Sequence, residues 1–140
     1  MKKLLFLCTG NSCRSQMAEG WARKLWGNQL EVYSAGTIAK GIDPRAVQVM
    51  AEHGINISGQ HSKTIAELPS VTFDLVITLC GDAAETCPIF PGAKVVHHGF
   101  DDPPRLAQTA ATETEILNCY RRVCVAISEF VAHDEALSKL

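Results

Sequence analysis

Apolar and polar positions follow two different periods along the chain, and the changes of period predict strands that alternate with helices. Residues 3–7 (KLLFL) and 73–79 (FDLVITL) are apolar runs, as expected for strands that are covered on both faces. Residues 30–34 (LEVYS) alternate like a strand and lead into an Ala-Gly pair. Residues 94–98 (KVVHH) predict a short fourth strand.

Three segments have the period of a helix instead. The first begins near Arg14 and is closed by Gly27. Its apolar side comprises Met17, Trp21 and Leu25, with Ala18 and Ala22 beside them, while Glu19, Arg23 and Lys24 fall elsewhere. The second follows Asp43-Pro44, a cap and a first-turn proline, and is predicted to run to about His53.

The last helix is predicted from Thr112 and Glu115, which have the spacing of a capping box. Its apolar stripe comprises Ile116, Tyr120, Val123, Ile127 and Phe130, and is adjoined by Leu117, Cys124 and Val131. Strands that alternate with helices predict an α/β fold, a three-layer doubly wound sheet of about four parallel strands. We find no repeat or linker, so we expect residues 1–140 to form a single catalytic domain.

Composition narrows the class of protein. The chain is 46% hydrophobic and 20% charged, as is typical of a globular protein. Its net charge of -2 and the absence of a basic stripe do not favour binding to nucleic acid or to an anionic membrane. No apolar run approaches the roughly 20 residues that span a bilayer. The short apolar start ends in polar residues, unlike a signal peptide, so we expect a cytoplasmic protein.

The loop CTGNSCRS after the first strand carries the candidate chemistry. Sites of such folds lie beyond the carboxyl ends of the strands, where Cys8 leaves the sheet. Gly10 permits a turn with positive φ, and Asn11 is the next most tolerant residue. Inward amide groups and the helix N-terminus behind them form an anion nest, which favours a thiolate at Cys8. Arg14 can give an oxyanion two parallel hydrogen bonds, and Ser15 can donate to the Cys8 sulfur.

The predicted oxyanion site therefore comprises Thr9, Gly10, Asn11, Ser12, Cys13, Arg14 and Ser15. No Walker A motif is present. A buried cysteine beside an ordinary surface arginine is the alternative interpretation of this C-x5-R pattern. Its place between an apolar strand and an amphipathic helix favours a nucleophile loop.

This loop resembles the nucleophile loop of the low-molecular-weight protein tyrosine phosphatase superfamily. DDPP, which begins at Asp101, resembles the late loop in which that superfamily places its general acid just before a proline. The resemblance implies that Asp102 is the acid, with Asp101 as the weaker candidate. A simple turn is the alternative interpretation of DDPP.

A phosphatase does not need the further stretch LCGDAAETCP, in which Cys80 ends the strand 73–79 and Cys87 follows seven residues later. If that strand lies beside the first, Cys80 emerges at the same sheet edge as Cys8. VITLCGDAAETCP, CTGNSCRSQMAEGW, YSAG and HHGFDDP together resemble the thioredoxin-coupled arsenate reductases, which share the phosphatase fold. The resemblance implies arsenate as substrate, thioredoxin as reductant and a role in arsenic detoxification.

The residues fit that chemistry. Arsenate has nearly the shape of phosphate, so the same nest and Arg14 suit it. Cys8 would attack arsenic while Asp102 assists departure of water. Cys80 would then attack the Cys8 sulfur and expel arsenite, and Cys87 would attack Cys80. The resulting Cys80–Cys87 disulfide is the form that thioredoxin would reduce, as the resemblance implies. We expect no cofactor and no metal.

The second disulfide predicts a change of conformation. If Asp82 caps a helix over this segment, Cys80 and Cys87 lie about 10 Å apart at roughly 1.5 Å per residue. A disulfide tolerates Cα separations of up to roughly 7 Å. We therefore predict a redox switch at residues 81–86, which is ordered when reduced and looped out when oxidised.

The remaining polar residues receive plainer interpretations. A zinc site is disfavoured because C-x4-C and C-x6-C do not match the usual ligand spacings. Cys13 is interpreted as a bystander thiol, and Cys119 and Cys124 as buried small hydrophobes. His97 and His98 are expected to finish a strand without a catalytic role. The two tryptophans, Trp21 and Trp26, are interpreted as helix packing.

Some relatives hold a cation near this loop with an asparagine, a glutamate, a serine and an acidic residue. Asn11, Glu19 and Ser34 fit the first three positions, but the fourth is Lys63. We therefore expect no bound potassium and suggest that the Lys63 ammonium replaces it.

Two other functions stay open from the sequence. One is a protein tyrosine phosphatase, although Pro103-Pro104 follows Asp102 where such enzymes tend to carry aromatic residues. We expect weak hydrolysis of small aryl phosphates in any case, because the anion site is shared. The other is an oxyanion-binding module without catalysis, which would not need an ordered set of thiols. We expect a monomer.

Overall fold

The computed structural model of the protein describes residues 1–81 and 87–140. Its strands are β1 (Lys2–Cys8), β2 (Leu30–Gly36), β3 (Leu75–Thr78) and β4 (Lys94–His97). Its helices are α1 (Arg14–Trp26), α2 (Pro44–Glu52), α3 (Pro103–Leu106), α4 (Glu113–His133) and α5 (Glu135–Ser138). Residues 82–86 of the predicted redox switch, with Asp82 as its cap, lie outside those described.

The described strands pair in parallel in the order β2-β1-β3-β4, which confirms the predicted α/β fold. β1 lies at the centre, and its Leu7 pairs with Ala35 on one side and with Thr78 on the other. The connections from β1 to β2 and from β2 to β3 run in opposite directions across the sheet. Loops that follow β1 and β3 therefore diverge, and a ligand crevice opens between them at the carboxyl edge.

Burial explains why β1 takes the central place. Every residue from Leu4 to Cys8 is buried, so apolar side chains cover both faces of the strand. α1 packs on β1 and β2, and α4 packs on α1 and α2. Leu25 is 43% exposed and Glu19 is buried, so the predicted face of α1 is wrong at both positions. The buried face turns toward Ala18 and Ala22, because these small side chains let the helix approach the sheet closely.

The helix caps agree with the sequence. The Asp43 carboxylate accepts a hydrogen bond from the Arg45 amide, and the Thr112 hydroxyl accepts one from the Glu115 amide. The Glu115 carboxylate accepts from the Ala111 amide, one residue before the Thr112 amide that a capping box would use.

The buried stripe of α4 is centred one position away from the predicted one. It comprises Leu117, Tyr120, Val123, Cys124, Ile127 and Val131. Ile116 and Phe130 lie half-buried at its margin, and Cys119 is half-buried rather than enclosed. Cys124 is fully buried, as predicted, and accepts a hydrogen bond from the Trp21 indole. In the described part of the chain, no helix combines the length and apolar character needed to cross a membrane.

Candidate active site

The loop of residues 9–13 joins β1 to α1 and turns at Asn11, whose φ is 46°. The prediction gave first place to Gly10 for this left-handed conformation, and that is wrong. Gly10 instead leaves room for the exposed Lys40 side chain, whose Cδ would lie 2.9 Å from a Cβ at residue 10. Asparagine tolerates the left-handed region because its short polar side chain can form local hydrogen bonds.

The carbonyl groups of the loop are held by the chain around it. The Thr9 carbonyl accepts from the Ile38 amide at 3.0 Å, and the Gly10 carbonyl accepts from the Lys40 amide at 2.9 Å. The Ser12 carbonyl accepts from the Asp43 amide at 3.0 Å. Within the described residues, no amide of the loop donates to a protein acceptor. These amides are available to an anion, which is the arrangement of an anion nest.

β2 ends close against this loop, and a glycine makes the approach possible. A Cβ at Gly36 would lie 2.7 Å from both the Thr9 carbonyl oxygen and the Asn11 amide nitrogen. A larger residue would push β2 away from the loop. The glycine of the YSAG segment therefore has a direct role in the shape of the nest.

The side chain of Asn11 is fully buried and its amide has one allowed orientation. Its Oδ1 accepts from the Lys63 backbone amide at 2.9 Å, and that group can only donate. Its Nδ2 therefore donates to the hydroxyls of Ser15, at 2.8 Å, and Ser34, at 3.0 Å. One side chain fixes two hydroxyl groups on two different elements.

The orientation of Asn11 leaves the hydrogen of the Ser15 hydroxyl available to the Cys8 sulfur. The Ser15 hydroxyl accepts from Asn11, so its single hydrogen is free to point at Cys8 Sγ, 2.8 Å away. Cys8 itself is 2% exposed at the end of β1. The structure thus contains the predicted contact between Ser15 and Cys8, in which the hydroxyl donates when the sulfur is a thiolate.

The same network continues to Glu19 and ends on Arg23. The Ser34 hydroxyl donates to Oε1 of Glu19, and the Arg23 guanidinium donates to Oε2 at 2.9 Å. The suggestion that the Lys63 ammonium replaces a cation stays a prediction: the ammonium donates to the His61 carbonyl, and burial lowers its pKa while the Glu19 charge opposes that shift. Arg23 lies one helical turn from Glu19 and supplies the paired charge. Among the residues described, no group of three or more His, Cys, Asp or Glu side chains could hold a metal ion.

Arg14 and Asp102 face each other across the loop. Nη2 of Arg14 lies 3.8 Å from Oδ1 of Asp102, and Nη1 donates to the Phe100 carbonyl at 3.1 Å. Asp102 precedes α3 at its N-cap, but its side chain makes no capping hydrogen bond and lines the cavity instead. Asp101 is 69% exposed and pairs with Arg122 at 3.3 Å. The two candidate acids thus point to different places, and only Asp102 lines the cavity beside Cys8.

Cys80 follows β3 and emerges at the same edge as Cys8, as predicted. Its Sγ lies 3.1 Å from the Thr9 hydroxyl oxygen, next to Cys8 in sequence. Cys8 and Cys80 line one cavity of about 590 Å³. The other residues that line it are Thr9, Gly10, Ser12, Cys13, Arg14, Lys40, Gly81, Asp102, Pro104 and Arg105.

Burial raises the pKa of two further thiols, Cys13 and Cys87. Burial, and then the nearby Asp43 carboxylate, raises the pKa of Cys13 well above its ordinary value, in keeping with a bystander thiol. Cys87 is half-buried, and burial raises its pKa as well. Its thiol donates to the Pro88 carbonyl, and Cys87 does not line the cavity.

Sequence reasoning missed two cations of the cavity, Lys40 and Arg105. Lys40 follows the end of β2 by four residues, so its place at the carboxyl edge of the sheet could have indicated it. His97 bonds Thr78 and His98 stacks on Phe100, and neither lines the cavity.

Comparisons with known proteins agree with this geometry. Residues 3–101 match the family of the low molecular weight phosphotyrosine protein phosphatases. An arsenate reductase of Halalkalibacterium halodurans is 53% identical over 123 residues, which cover 87% of this chain and 86% of that protein. A structure described as an arsenate reductase in the phosphate binding state is 33% identical, with a TM-score of 0.76 and coverage of 99% and 98%.

A third match is the thioredoxin-dependent arsenate reductase of Corynebacterium glutamicum, which is 26% identical with a TM-score of 0.61. It covers 94% of this chain and 62% of the other. The chain therefore belongs to the low molecular weight phosphotyrosine protein phosphatase family and, within it, to the arsenate reductases.

Proposed function

We propose that this arsenate reductase works as one catalytic domain through a relay of three thiols, Cys8, Cys80 and Cys87, and that thioredoxin regenerates it. One observation carries the proposal. The sulfurs of Cys8 and Cys80 line the same anion cavity, and the Thr9 hydroxyl adjoins the second of them. A phosphatase has no use for a second thiol at that place.

The first step uses the nest. Arsenate is held by the free amides of residues 9–13 and by the Arg14 fork, which matches two oxygens of a tetrahedral anion. The Cys8 thiolate forms a bond to arsenic while protonated Asp102 gives its proton to a departing hydroxyl, which leaves as water. The Ser15 hydroxyl stabilises the attacking sulfur by its hydrogen bond.

The second step transfers the electrons. The Cys80 thiolate attacks Cys8 Sγ, a disulfide forms and the sulfur–arsenic bond breaks. The electron pair of that bond stays on arsenic, which leaves as arsenite. The Thr9 hydroxyl contacts the Cys80 sulfur at 3.1 Å, and both thiols line the same cavity.

The third step involves Cys87. Its thiolate attacks Cys80, Cys8 leaves as a thiolate, and the Cys80–Cys87 disulfide is then reduced by thioredoxin. The Corynebacterium glutamicum protein is described as thioredoxin-dependent, which supports this partner. Cys87 does not line the cavity, so we expect the step to need a change of conformation.

The number of arsenite molecules released per enzyme tests the relay. The reduced wild-type enzyme with thioredoxin, its reductase and NADPH should turn over continuously. Cys80→Ser should release no arsenite, because the Cys8 adduct has no second thiol to attack it. Cys87→Ser should release one arsenite per enzyme and then stop at the Cys8–Cys80 disulfide.

Cys119→Ser is the matched control, since this half-buried thiol lies on α4 and does not line the cavity. It should turn over like the wild type. Continuous turnover by either Cys80→Ser or Cys87→Ser would contradict the relay.

Weak hydrolysis of small aryl phosphates is a second expected activity, because phosphate fits the same nest. No aromatic side chain is among the described residues that line the cavity, so little would hold the aryl ring. We expect this hydrolysis to be slow beside arsenate reduction.

A further inference from the structure

We propose that Phe100 and Phe130 are positioning residues that aim the Arg14 guanidinium at the bound anion. The inference depends on the proposed role of Arg14 in oxyanion binding. Neither aromatic side chain lines the anion cavity, so any effect on the anion must pass through Arg14 or its neighbours.

The backbone of Phe100 connects three parts of the site. Its carbonyl accepts from Nη1 of Arg14 at 3.1 Å, and its amide donates to the carbonyl of Leu79, the residue before Cys80, at 3.1 Å. Asp102 follows two residues later. A displacement of this one residue would therefore move the acceptor of Arg14 together with the segment that bears the candidate acid.

The side chain of Phe100 is held by an aromatic cluster, which we define as His98, Phe100 and Phe130. The ring centroids of His98 lie 4.7 Å from Phe100 and 4.3 Å from Phe130, and those of the two phenylalanines are 5.6 Å apart. Phe130 belongs to α4, the longest described helix, which is anchored in the core. The cluster thus ties the segment after β4 to a fixed element.

A second tie between the same segment and α4 is weak. Asp101 pairs with Arg122, but both side chains are well exposed, and exposed ion pairs add little. α3 also packs on α4, so the aromatic cluster is the contact with α4 that the side chain of Phe100 itself makes.

The geometry of arginine makes this position matter. The guanidinium is a rigid plane with five N–H groups, so one hydrogen bond from Nη1 to Phe100 limits the direction of the rest. The remaining N–H groups can then meet an anion in the nest with a fixed orientation. Small misplacements of such groups cost large factors in binding and rate.

The test measures binding of inorganic phosphate to the reduced full-length chain by calorimetry. Phe130→Ala should weaken phosphate binding about tenfold, because Phe100 loses its contact on α4. Phe130→Tyr keeps the ring and should stay within about twofold of the wild type. Phe130→Leu should fall between the two, and it serves if the alanine variant does not fold.

Phe90→Ala is the matched control. Phe90 is also half-buried and packs edge-to-face on Phe73 with centroids 5.8 Å apart, away from Arg14. Its removal should leave phosphate binding within about twofold. An equal loss in Phe90→Ala would show a general effect on stability and would overturn the proposal.

A double-mutant cycle supplies the decisive result. In an Arg14→Ala background, Phe130→Ala should weaken phosphate binding no further, because its effect passes through Arg14. An undiminished effect in that background would overturn the proposal, as would unchanged phosphate affinity in folded Phe130→Ala. Phosphate binding needs no thiol chemistry, so this test remains valid even if the three-thiol relay is wrong. A wild-type protein that binds no phosphate would refute the anion site itself.

Discussion

The Cys8 side of the site and the Cys87 side differ in how many parts of the chain hold the sulfur. Cys8 ends the central strand and accepts from Ser15, which Asn11 joins to β2 and to the backbone at Lys63. The Cys87 thiol is half-buried, and within the described residues its hydrogen bond goes only to the adjacent Pro88. One sulfur is fixed by long-range contacts and the other by its neighbour.

The difference fits the roles that the proposed relay gives to Cys8 and Cys87. Groups that stabilise a developing charge act best when they are already in place, because nothing then has to reorganise during the reaction. A thiol that passes electrons from one sulfur to the next must move to within bonding distance of its partner. The structure therefore combines a preorganised anion nest with a Cys87 thiol that few contacts hold in place.

The largest effect is expected from replacing Arg14, whose guanidinium can give two parallel hydrogen bonds to the anion. Arg14→Lys keeps the charge but cannot give two parallel hydrogen bonds to the anion. We expect kcat/KM for arsenate to fall by about 10²- to 10³-fold, measured as arsenite produced with thioredoxin, its reductase and NADPH. Arg105→Lys, at another cation of the cavity, should lose less than about threefold. A loss of less than about threefold in Arg14→Lys would mean that charge alone, rather than a pair of parallel hydrogen bonds, binds the substrate.

The hydrogen-bond network around Asn11 should also contribute measurably to the free energy of unfolding. Asn11→Ala removes four hydrogen bonds of a buried side chain, to Ser15, Ser34, Gln16 and the backbone at Lys63, and leaves the Lys63 amide unpaired. It also places alanine at a φ of 46°, where a Cβ is strained. We expect the free energy of unfolding in urea to fall by about 2–4 kcal/mol.

The matched control for this variant is Asn56→Ala. Asn56 is exposed and bonds only within its own turn, to Ser58. Its loss should cost less than about 1 kcal/mol. Similar losses in the two variants would show that the Asn11 network does not hold the loop.

The sequence predicted the parts of the site that depend on local order along the chain. A buried strand that ends at Cys8, followed by a loop and an amphipathic helix, is enough to place Arg14 at a helix start. Parallel pairing then brings Cys80 to the same edge, because Leu7 and Thr78 lie side by side.

Contacts between distant segments could not be read in the same way. Glu19 is buried because Ser34 and Arg23 satisfy its carboxylate, and nothing in the spacing of α1 shows that Ser34 lies opposite. The left-handed residue of the loop is Asn11 rather than Gly10, and its buried side chain is held there by Ser15, Ser34 and the backbone at Lys63. Such choices depend on side chains that come together only in the folded chain.

A smaller effect is expected on the reactivity of the Cys87 thiol. Burial raises the pKa of Cys87 above its ordinary value of 9.0, so less thiolate is present at pH 8 than in a free thiol. Alkylation of Cys87 by iodoacetamide, followed by peptide mass spectrometry, should still accelerate as the pH rises through 9. The same residue in urea-unfolded chain should react faster at pH 8. A rate that levels off below pH 8.5 in the folded chain would contradict this expectation.

The smallest effect is expected from replacing sodium by potassium. The Glu19 carboxylate already has Arg23 at 2.9 Å and the Ser34 hydroxyl as partners, so a cation has little to add there. Arsenate reduction at equal ionic strength should therefore differ by less than about twofold between the two salts, since an ion pair that is already made leaves no uncompensated charge. Arg23→Gln removes the guanidinium and is the variant in which potassium dependence should appear. A strong potassium effect in the unaltered enzyme would show that Arg23 does not satisfy Glu19, and that the preorganised side of the site is completed from solution.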